Sequence, residues 1–279
     1  MENDFRMPRV LGKTGLTVGR LGLGSSYGAP AAAYEKAFEQ GCNYFYWGSM
    51  RREGMGDAIR HLAPQHREKL VVVLQSYSRW GIRLASHVES GLSRLGLDHA
   101  DLLVLGWHNR PLGARLMDAA MRLIERGRVR HLAVSAHDRP VFLQHARDLR
   151  LEVLMVRYNA AHRGAGTEVF PHVTTGDAPR PGVVTYTATR WGTLIDPRCT
   201  PPGLRMPTAA ECYRFALSNP LTDVCLTGPA TAAEMDANLR ALDLGPMCED
   251  EIRWMEAVGD HVHRQTARSR RNPFMQRVQ

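Results

Sequence analysis

The stretch KLVVVLQSYSRWGIRLASHVESGLSRLGLDHADLLVLG, residues 69–106, contains a predicted strand, a predicted helix and a second predicted strand in that order. The near-continuous apolar runs at 69–75 and 101–106 are typical of strands that are buried on both faces. Residues 84–95, between them, have a helical pattern of apolar residues. A unit of this kind predicts two parallel strands joined by a helix.

The same alternation continues along the chain and predicts an α/β fold. Further predicted strands lie at 20–24, 43–47, 129–135, 152–158, 182–188 and 222–228. Further predicted helices lie at 32–40, 55–62, 114–127, 140–149, 208–218 and 231–242. Eight strands with helical returns fit a (β/α)8 TIM barrel better than an open sheet. In such a barrel, the loops after the carboxyl ends of the strands hold the functional site.

Two segments extend this barrel. The stretch VLGKTGLTVGRLGLG, residues 10–24, has two short apolar runs joined at KTG and predicts an N-terminal β-hairpin. Residues 249–263 predict an extra C-terminal helix that packs outside, and residues 163–180 predict a short helix within a loop. We interpret residues 1–279 as one barrel domain that ends in a basic, flexible tail at 264–279.

Composition and charge restrict the class of function. The net charge of +8 is concentrated partly in the tail, whose arginines lack the interleaved aromatic residues of a nucleic-acid surface, so we expect no nucleic-acid partner. No apolar run approaches the roughly 18 residues of a membrane span, and the charged N-terminus has no signal-peptide core. The five scattered cysteines predict free thiols, no metal site and a reducing, cytoplasmic location.

Several motifs resemble those of the aldo-keto reductases in order and spacing. They are LGKTGLTVGRLGLG, GLDHADLLVLG, GRVRHLAVS, VRYNAAHR and TGPATAAEMDANLRAL, which begin at residues 11, 96, 127, 156 and 227. The resemblance extends from Leu11 to about Leu242. It implies a (β/α)8 barrel, an NADPH or NADH cofactor that lies extended across the C-terminal face, and carbonyl reduction.

The resemblance also implies a catalytic tetrad, but this chain has other residues at all four positions. In the family, a tyrosine protonates the carbonyl oxygen, a lysine paired with an aspartate lowers the tyrosine's pKa, and a histidine orients the carbonyl. Tyr46 matches the aspartate, Arg51 the tyrosine, Gln75 the lysine and Gly106 the histidine. His108 lies two residues further on. We predict that any catalysis uses Tyr46, Arg51, Gln75 and His108, and that ordinary aldehyde reduction is weak or absent.

The resemblance implies a partly retained cofactor site. Ser135 is kept among the groups that hold the nicotinamide amide, whereas its usual Asn and Gln partners become Ala136 and Met155. Tyr186 matches the residue that stacks on nicotinamide, and Thr187 matches one that meets the pyrophosphate. We therefore expect NAD(P)(H) to be a possible cofactor.

The last strand–helix unit bears on the choice of cofactor. Arg190 lies near the pyrophosphate path, and Asn238 matches the adenine contact. Glu234 stands at a position that meets the 2′-phosphate of NADPH in the family. A carboxylate repels this dianionic phosphate, so we predict that NADH is favoured over NADPH.

The predicted substrate residues are Trp47, Trp107, Arg157 and Trp191. Aromatic faces supply stacking area, and a guanidinium recognises carboxylate or phosphate, so we expect a small anionic, planar or aromatic ligand. Arg157 could instead form a salt bridge inside the barrel mouth. Within strand 43–47, alternate residues point to opposite faces, so one pair of its aromatic residues lines the barrel and the other pair is core.

Two classes of function remain open. The first is an aldo-keto-reductase-like enzyme with a rebuilt site, either an oxidoreductase or a non-redox lyase or isomerase. The second is a binding or regulatory protein on the same barrel, without turnover. In either class we expect a small-molecule ligand and a monomer or weak homo-oligomer.

Overall fold

The computed structural model describes residues 4–48, 52–173 and 179–271, with side chains as far as Gln265. Parallel strands close a barrel in the order β10-β3-β4-β5-β6-β7-β8-β9, and β1 pairs with β2 in a separate antiparallel hairpin. The strands are β1 Arg9–Val10, β2 Thr17–Val18, β3 Leu21–Gly24, β4 Tyr44–Trp47, β5 Val71–Ser76, β6 Ala100–Leu105, β7 Val129–Ala136, β8 Val153–Arg157, β9 Gly182–Tyr186 and β10 Val224–Thr227. All eight predicted barrel strands and the predicted hairpin are therefore confirmed.

Helices follow the strands around the barrel. They are α1 Ala31–Glu39, α2 Gly54–His66, α3 Gly81–Leu95, α4 Ala114–Glu125, α5 Phe142–His145, α6 Ala165–Glu168, α7 Ala209–Leu217, α8 Ala232–Leu244 and α9 Glu249–Arg271. Capping residues define where several of these helices begin or end. Thr208 and Glu211 form a reciprocal capping box at the start of α7, and Gly96 ends α3 in the left-handed conformation.

Two predicted helices differ most from those in the structure. The predicted helix 140–149 is a 3-10 turn followed by the single turn of α5. The C-terminal helix α9 continues to Arg271, so residues 264–271 of the predicted tail are helical. The sequence explains this extension, because residues 264–271 contain neither glycine nor proline. Residues 272–279 lie outside the described part of the chain.

The pleat of β4 separates its four aromatic residues into two layers. Tyr44 and Tyr46 belong to the cluster inside the barrel, whereas Phe45 and Trp47 belong to the outer core between strands and helices. Leu11, from the hairpin segment, joins the inner cluster and is fully buried. The hairpin therefore fills the inside of the barrel at its N-terminal end.

Within the described ranges, no helix is both long enough and apolar enough to cross a membrane.

Candidate functional site

A cavity of about 1030 Å³ opens at the carboxyl ends of the barrel strands. This is the upper end of the usual range for small-molecule sites, about 300–1,000 Å³. It is lined by eight of the residues that the sequence singled out: Tyr46, Gln75, Trp107, Ser135, Tyr186, Thr187, Trp191 and Asn238. The parallel strands bring these side chains together because their carboxyl ends all meet at one face of the barrel.

The floor of the cavity contains a tyrosine–glutamine pair. The hydroxyl of Tyr46 donates a hydrogen bond to Oε1 of Gln75. Burial raises the pKa of Tyr46 well above its usual value, and the neighbouring tyrosines Tyr77, Tyr44 and Tyr186 add to the shift. Tyr46 therefore keeps its proton at neutral pH, since the neutral amide of Gln75 cannot stabilise a phenolate as a lysine would.

Tyr77 takes the space beside Gly106. A Cβ atom at position 106 would lie 2.7 Å from Cδ1 of Tyr77 and 2.8 Å from Nε2 of Gln75. A side chain at this position therefore requires its neighbours to move. Tyr77 lines the cavity with 58% of its surface exposed, and the sequence analysis did not single it out. The available signal was its place two residues after Gln75, at the end of a barrel strand.

His137 is a second residue that the sequence analysis missed. Its ring lies between two aromatic rings, with centroids 5.1 Å from Trp107 and 6.4 Å from Tyr186. Its backbone N–H donates to the side chain of Asn109 at 2.7 Å. Burial, assisted by the charge of Arg157, lowers the pKa of His137. At neutral pH the wall therefore presents an uncharged imidazole within an aromatic row.

Arg157 does not itself line the cavity but lies against the ring of Trp191, which does. The guanidinium carbon is 5.6 Å from the centroid of the Trp191 ring. Its Nε is buried and has no hydrogen-bond partner, and no carboxylate among the described residues forms a salt bridge with it. The salt-bridge alternative for Arg157 is thus not found within the described ranges. Its charge instead acts on Tyr186, where it opposes the rise in pKa that burial causes.

The loop after β9 has an unusual backbone. Among the described residues other than glycine, positive φ angles occur only at Trp107, Thr187, Arg190 and Trp191, with values of 52–59°. Three of these four line the cavity. Left-handed backbone is costly for bulky residues, and such strain clusters at binding sites. The loop from Thr187 to Gly192 is therefore the wall that most resembles a ligand-binding loop.

The far end of the cavity contains an unpaired amide. Asn238 on α8 is 4% exposed and lines the cavity, and its side chain has no hydrogen-bond partner within the described ranges. The amide faces the cavity, where a ligand can hydrogen-bond to it, so this end of the cavity suits a polar group.

Glu234 forms part of the same wall. Its carboxylate accepts from the backbone N–H of Ala230 at 2.7 Å, and its own N–H donates to Oγ1 of Thr231 at 3.1 Å. The start of α8 is therefore already occupied by a carboxylate from its own chain. Nearby, Tyr27 covers Gly228, where an added Cβ would lie 2.5 Å from the Tyr27 ring.

Besides Arg157, three predicted site residues lie outside the cavity lining. Trp47 is 4% exposed in the outer core, where its ring meets α2 and α3, because odd positions of β4 face outward. Arg190 is buried and donates to the carbonyl of Val262 in α9 at 3.1 Å. His108 lies on the far side of Trp107, in a smaller adjoining pocket. The sequence predicted a substrate role for Trp47, a pyrophosphate role for Arg190 and a catalytic role for His108, and none of the three lines the main cavity.

The remaining predictions concern Arg51 and metals. Arg51 lies outside the described residues. Within the described ranges, no group of three or more His, Cys, Asp or Glu side chains is arranged to hold a metal ion.

Comparisons with known proteins identify the architecture. No family model and no curated protein matches this sequence. Among solved structures, the aldo-keto reductase AKR11C1 from Bacillus halodurans in its holo form matches with a TM-score of 0.75 at 18% identity, over 90% of this chain and 95% of that one. PA4992 from Pseudomonas aeruginosa, which carries the same family assignment, matches with a TM-score of 0.65 at 18% identity, over 86% and 96% of the two chains. The chain has the fold of the aldo-keto reductases.

Proposed function

We propose that this protein is an oxidoreductase of the aldo-keto reductase superfamily that binds NADH in preference to NADPH. It acts on a small, planar, anionic substrate at the carboxyl end of the barrel. The observation that carries this proposal is the amide of Asn238, which lines the cavity without a hydrogen bond to another described residue and stands at the position that matches the adenine contact in the family. The fold and the strained loop after β9 support it.

The cavity offers more contacts to the adenosine half of a dinucleotide than to its nicotinamide half. The adenosine end offers the Asn238 amide, and the Thr187–Gly192 loop lines the path from there to the floor. At the floor, the Ser135 hydroxyl accepts from the backbone N–H of Trp107 at 3.0 Å and keeps its own proton for donation. Met155 adds no polar group beside it. Affinity is therefore expected to come mainly from the adenosine half.

The chain's own residues limit the chemistry. A bound NADH would supply a hydride to the substrate. Tyr46 is the closest phenol to the floor, but it is a poor acid because its pKa is raised and its proton is held by Gln75. Any proton that a reduction requires would thus come slowly from Tyr46 or from water in the open cavity. The family's fast acid catalysis, about 10²–10⁴-fold, is expected to be missing.

The same wall explains the cofactor preference. The Glu234 carboxylate accepts a hydrogen bond from the backbone N–H of Ala230 just before α8, a donor that could otherwise hold a phosphate. A 2′-phosphate would meet a negative charge where it needs donors. NADH lacks this phosphate and avoids the repulsion.

The substrate end combines a cation with aromatic faces. Arg157 has a buried Nε without a partner, and Trp191 lies over its guanidinium. Trp107, His137 and Tyr186 form the row of rings across the opening. A planar carboxylate or phosphate ester can stack on these rings and pair with Arg157, which supports the proposed substrate class.

One observation favours a second candidate function, that of a nucleotide-binding protein without turnover. Tyr46 is buried, its hydroxyl is engaged by Gln75, and no lysine replaces the lost activator on the described cavity wall. Calorimetric titration with NADH tests the binding that both candidates share. Single-turnover oxidation of bound NADH by planar carbonyl acids then separates them, because the binding protein would leave NADH unchanged.

A further inference from the structure

A second pocket of about 560 Å³ adjoins the main cavity. It lies between the loop after β5 and the segment from β6 to the first turn of α4. The lining residues are Arg79, Trp107, His108, Asn109, Arg110, Pro111, Gly113, Ala114, Arg115 and Leu116. Arg79 and Trp107 also line the main cavity, so the two spaces share a wall.

The three arginines of this pocket have no carboxylate partner. No described acidic side chain forms a salt bridge with Arg79, Arg110 or Arg115, and no aspartate or glutamate lines the pocket. Arg79 is held by neutral acceptors instead. It donates at 3.0 Å to the carbonyl oxygens of Tyr77 and Gly106, and also to that of Trp107. These contacts fix the guanidinium without neutralising its charge.

His108 adds a buried donor. Its side chain is 7% exposed, and its Nε2 lies 3.1 Å from a guanidinium nitrogen of Arg79. A guanidinium can only donate, so Nε2 accepts and the proton of the neutral ring is on Nδ1. Burial, with the charge of Arg79, lowers the pKa of His108 to about 4, so the ring is neutral at pH 7. Its Nδ1–H has no partner among the described residues.

The first turn of α4 provides further donors. Gly113 precedes the helix without a side-chain cap, and the first turn has no acidic residue. The backbone N–H groups of Ala114 and Arg115 have no acceptor within the described part of the chain, whereas Leu116 and Met117 both donate to the carbonyl of Gly113. Unpaired N–H groups at a helix start favour an anion.

The side-chain oxygen of Asn109 in this pocket already accepts hydrogen bonds from the protein. Oδ1 of Asn109 accepts from the backbone N–H groups of His137 and Asp138, at 2.7 and 3.1 Å. The open polar groups are therefore the guanidiniums, the His108 Nδ1–H and two backbone N–H groups. A wall that offers donors almost exclusively matches a tetrahedral oxyanion, whose oxygens only accept when it is fully ionised.

We propose that this pocket is a phosphate-binding subsite formed by Arg79, Arg110, Arg115, the Nδ1–H of His108 and the first turn of α4. Because Trp107 and Arg79 line both spaces, a phosphate bound here lies beside the main cavity. The subsite thus accepts the phosphate group of a phosphorylated aromatic compound whose ring extends over Trp107, or inorganic phosphate alone. This inference does not depend on nicotinamide cofactor binding.

The first test is calorimetric titration of the full chain with sodium phosphate at constant ionic strength, with sodium chloride as the reference. Saturable binding is expected for phosphate. The backbone amide signals of Ala114 and Arg115 are expected to move in a nitrogen–proton NMR spectrum during the same titration. Absence of saturable binding, or movement of other amides without these two, overturns the proposal.

Two variants and a control localise the site. Arg110→Ala/Arg115→Ala is expected to weaken phosphate binding at least about tenfold. Ala114→Pro removes one N–H at a helix position that tolerates proline, after a Gly113 that is already extended (φ −67°, ψ 143°), and is expected to weaken binding several-fold. Arg147 is exposed and forms no ion pair within the described ranges, so Arg147→Ala is expected to bind phosphate as the parent does. Equal affinity in the parent and the double variant rules the subsite out.

Phenyl phosphate identifies the source of the anion. If it binds more tightly than inorganic phosphate, and Trp107→Leu removes that advantage, the subsite receives the phosphate of an aromatic compound. If the two bind equally, the subsite takes inorganic phosphate. NADH titration of Arg110→Ala/Arg115→Ala and Ala114→Pro is expected to give unchanged affinity, so failure of this inference and failure of the proposed function remain distinguishable.

Discussion

The Tyr46 hydroxyl donates to Oε1 of Gln75 at the floor of the barrel cavity, and burial keeps the phenol protonated. A lysine beside a tyrosine stabilises the phenolate, whereas an amide accepts the phenolic proton in a hydrogen bond and stabilises the neutral form. This contact is therefore the reason that we expect acid catalysis at the cavity floor to be weak.

The first prediction concerns the acidity of Tyr46. Gln75→Lys is expected to lower the pKa of Tyr46, because it places a cation where a neutral amide now lies. Ultraviolet titration of phenolate absorbance measures this, and the difference between Gln75→Lys and Gln75→Lys/Tyr46→Phe isolates the residue. In the parent chain, Tyr46→Phe should remove no phenolate signal at or below pH 10, since burial raises the pKa of Tyr46 well above 10. A Tyr46 that ionises near pH 7 in the parent chain would contradict the account.

The second prediction concerns cofactor choice. Glu234→Arg is expected to raise the affinity for NADPH relative to NADH at least about tenfold, because it replaces a repulsive charge with an attractive one. Glu234→Gln serves as the matched control, since it removes the charge and keeps an oxygen for the Ala230 N–H. It should give a smaller shift in the same direction. An unchanged ratio of the two dissociation constants in Glu234→Arg would show that Glu234 does not face the 2′ position.

The third prediction concerns the space beside Gly106. Gly106→Ala is expected to destabilise the protein by about 1–3 kcal/mol, because the new Cβ collides with the Tyr77 ring and the Gln75 amide. In a Tyr77→Ala background the cost should fall, which a double-mutant cycle from urea unfolding measures. If the cost is the same in both backgrounds, Tyr77 does not occupy this space.

The fourth prediction concerns the charge of Arg157, which lies against the cavity residue Trp191. The parent chain is expected to bind benzoate more tightly than neutral benzamide, and Arg157→Met should abolish the difference while the protein stays folded. No carboxylate among the described residues pairs with Arg157, so its charge is not neutralised there. Arg147→Ala is the control for net charge. Equal binding of benzoate and benzamide by the parent chain would refute a role for Arg157 in anion recognition.

The fifth prediction contrasts two tryptophans. Trp47→Ala is expected to cost about 3–5 kcal/mol of stability, because it empties a buried site, and to leave ligand affinity unchanged. Trp191→Ala, at 58% exposed, should change stability little and weaken benzoate binding. Thermal unfolding and calorimetry on both variants measure the two effects. The reverse pattern would place Trp47 in the site.

Strand order and the barrel were predictable because buried parallel strands leave long apolar runs in the sequence. Which face of β4 points inward was not predictable, since all four of its aromatic residues suit a core, and Trp47 was therefore misplaced. Tyr77, Arg79 and His137 were missed because they lie in the loops after β5 and β7. The family motifs assigned no role to these three positions. His108 illustrates the same limit, since only coordinates reveal that Trp107 separates it from the cavity floor.

The measurement that tests the central claim most directly is calorimetric titration with NADH of the parent chain, Asn238→Ala and Asp236→Ala. Asp236 is on the same helix, where it pairs with Lys36 on the exposed surface away from the cavity. We expect saturable binding by the parent chain, the same affinity in Asp236→Ala and at least about tenfold weaker binding in Asn238→Ala. No binding by the parent chain, or equal affinity in Asn238→Ala, would contradict it.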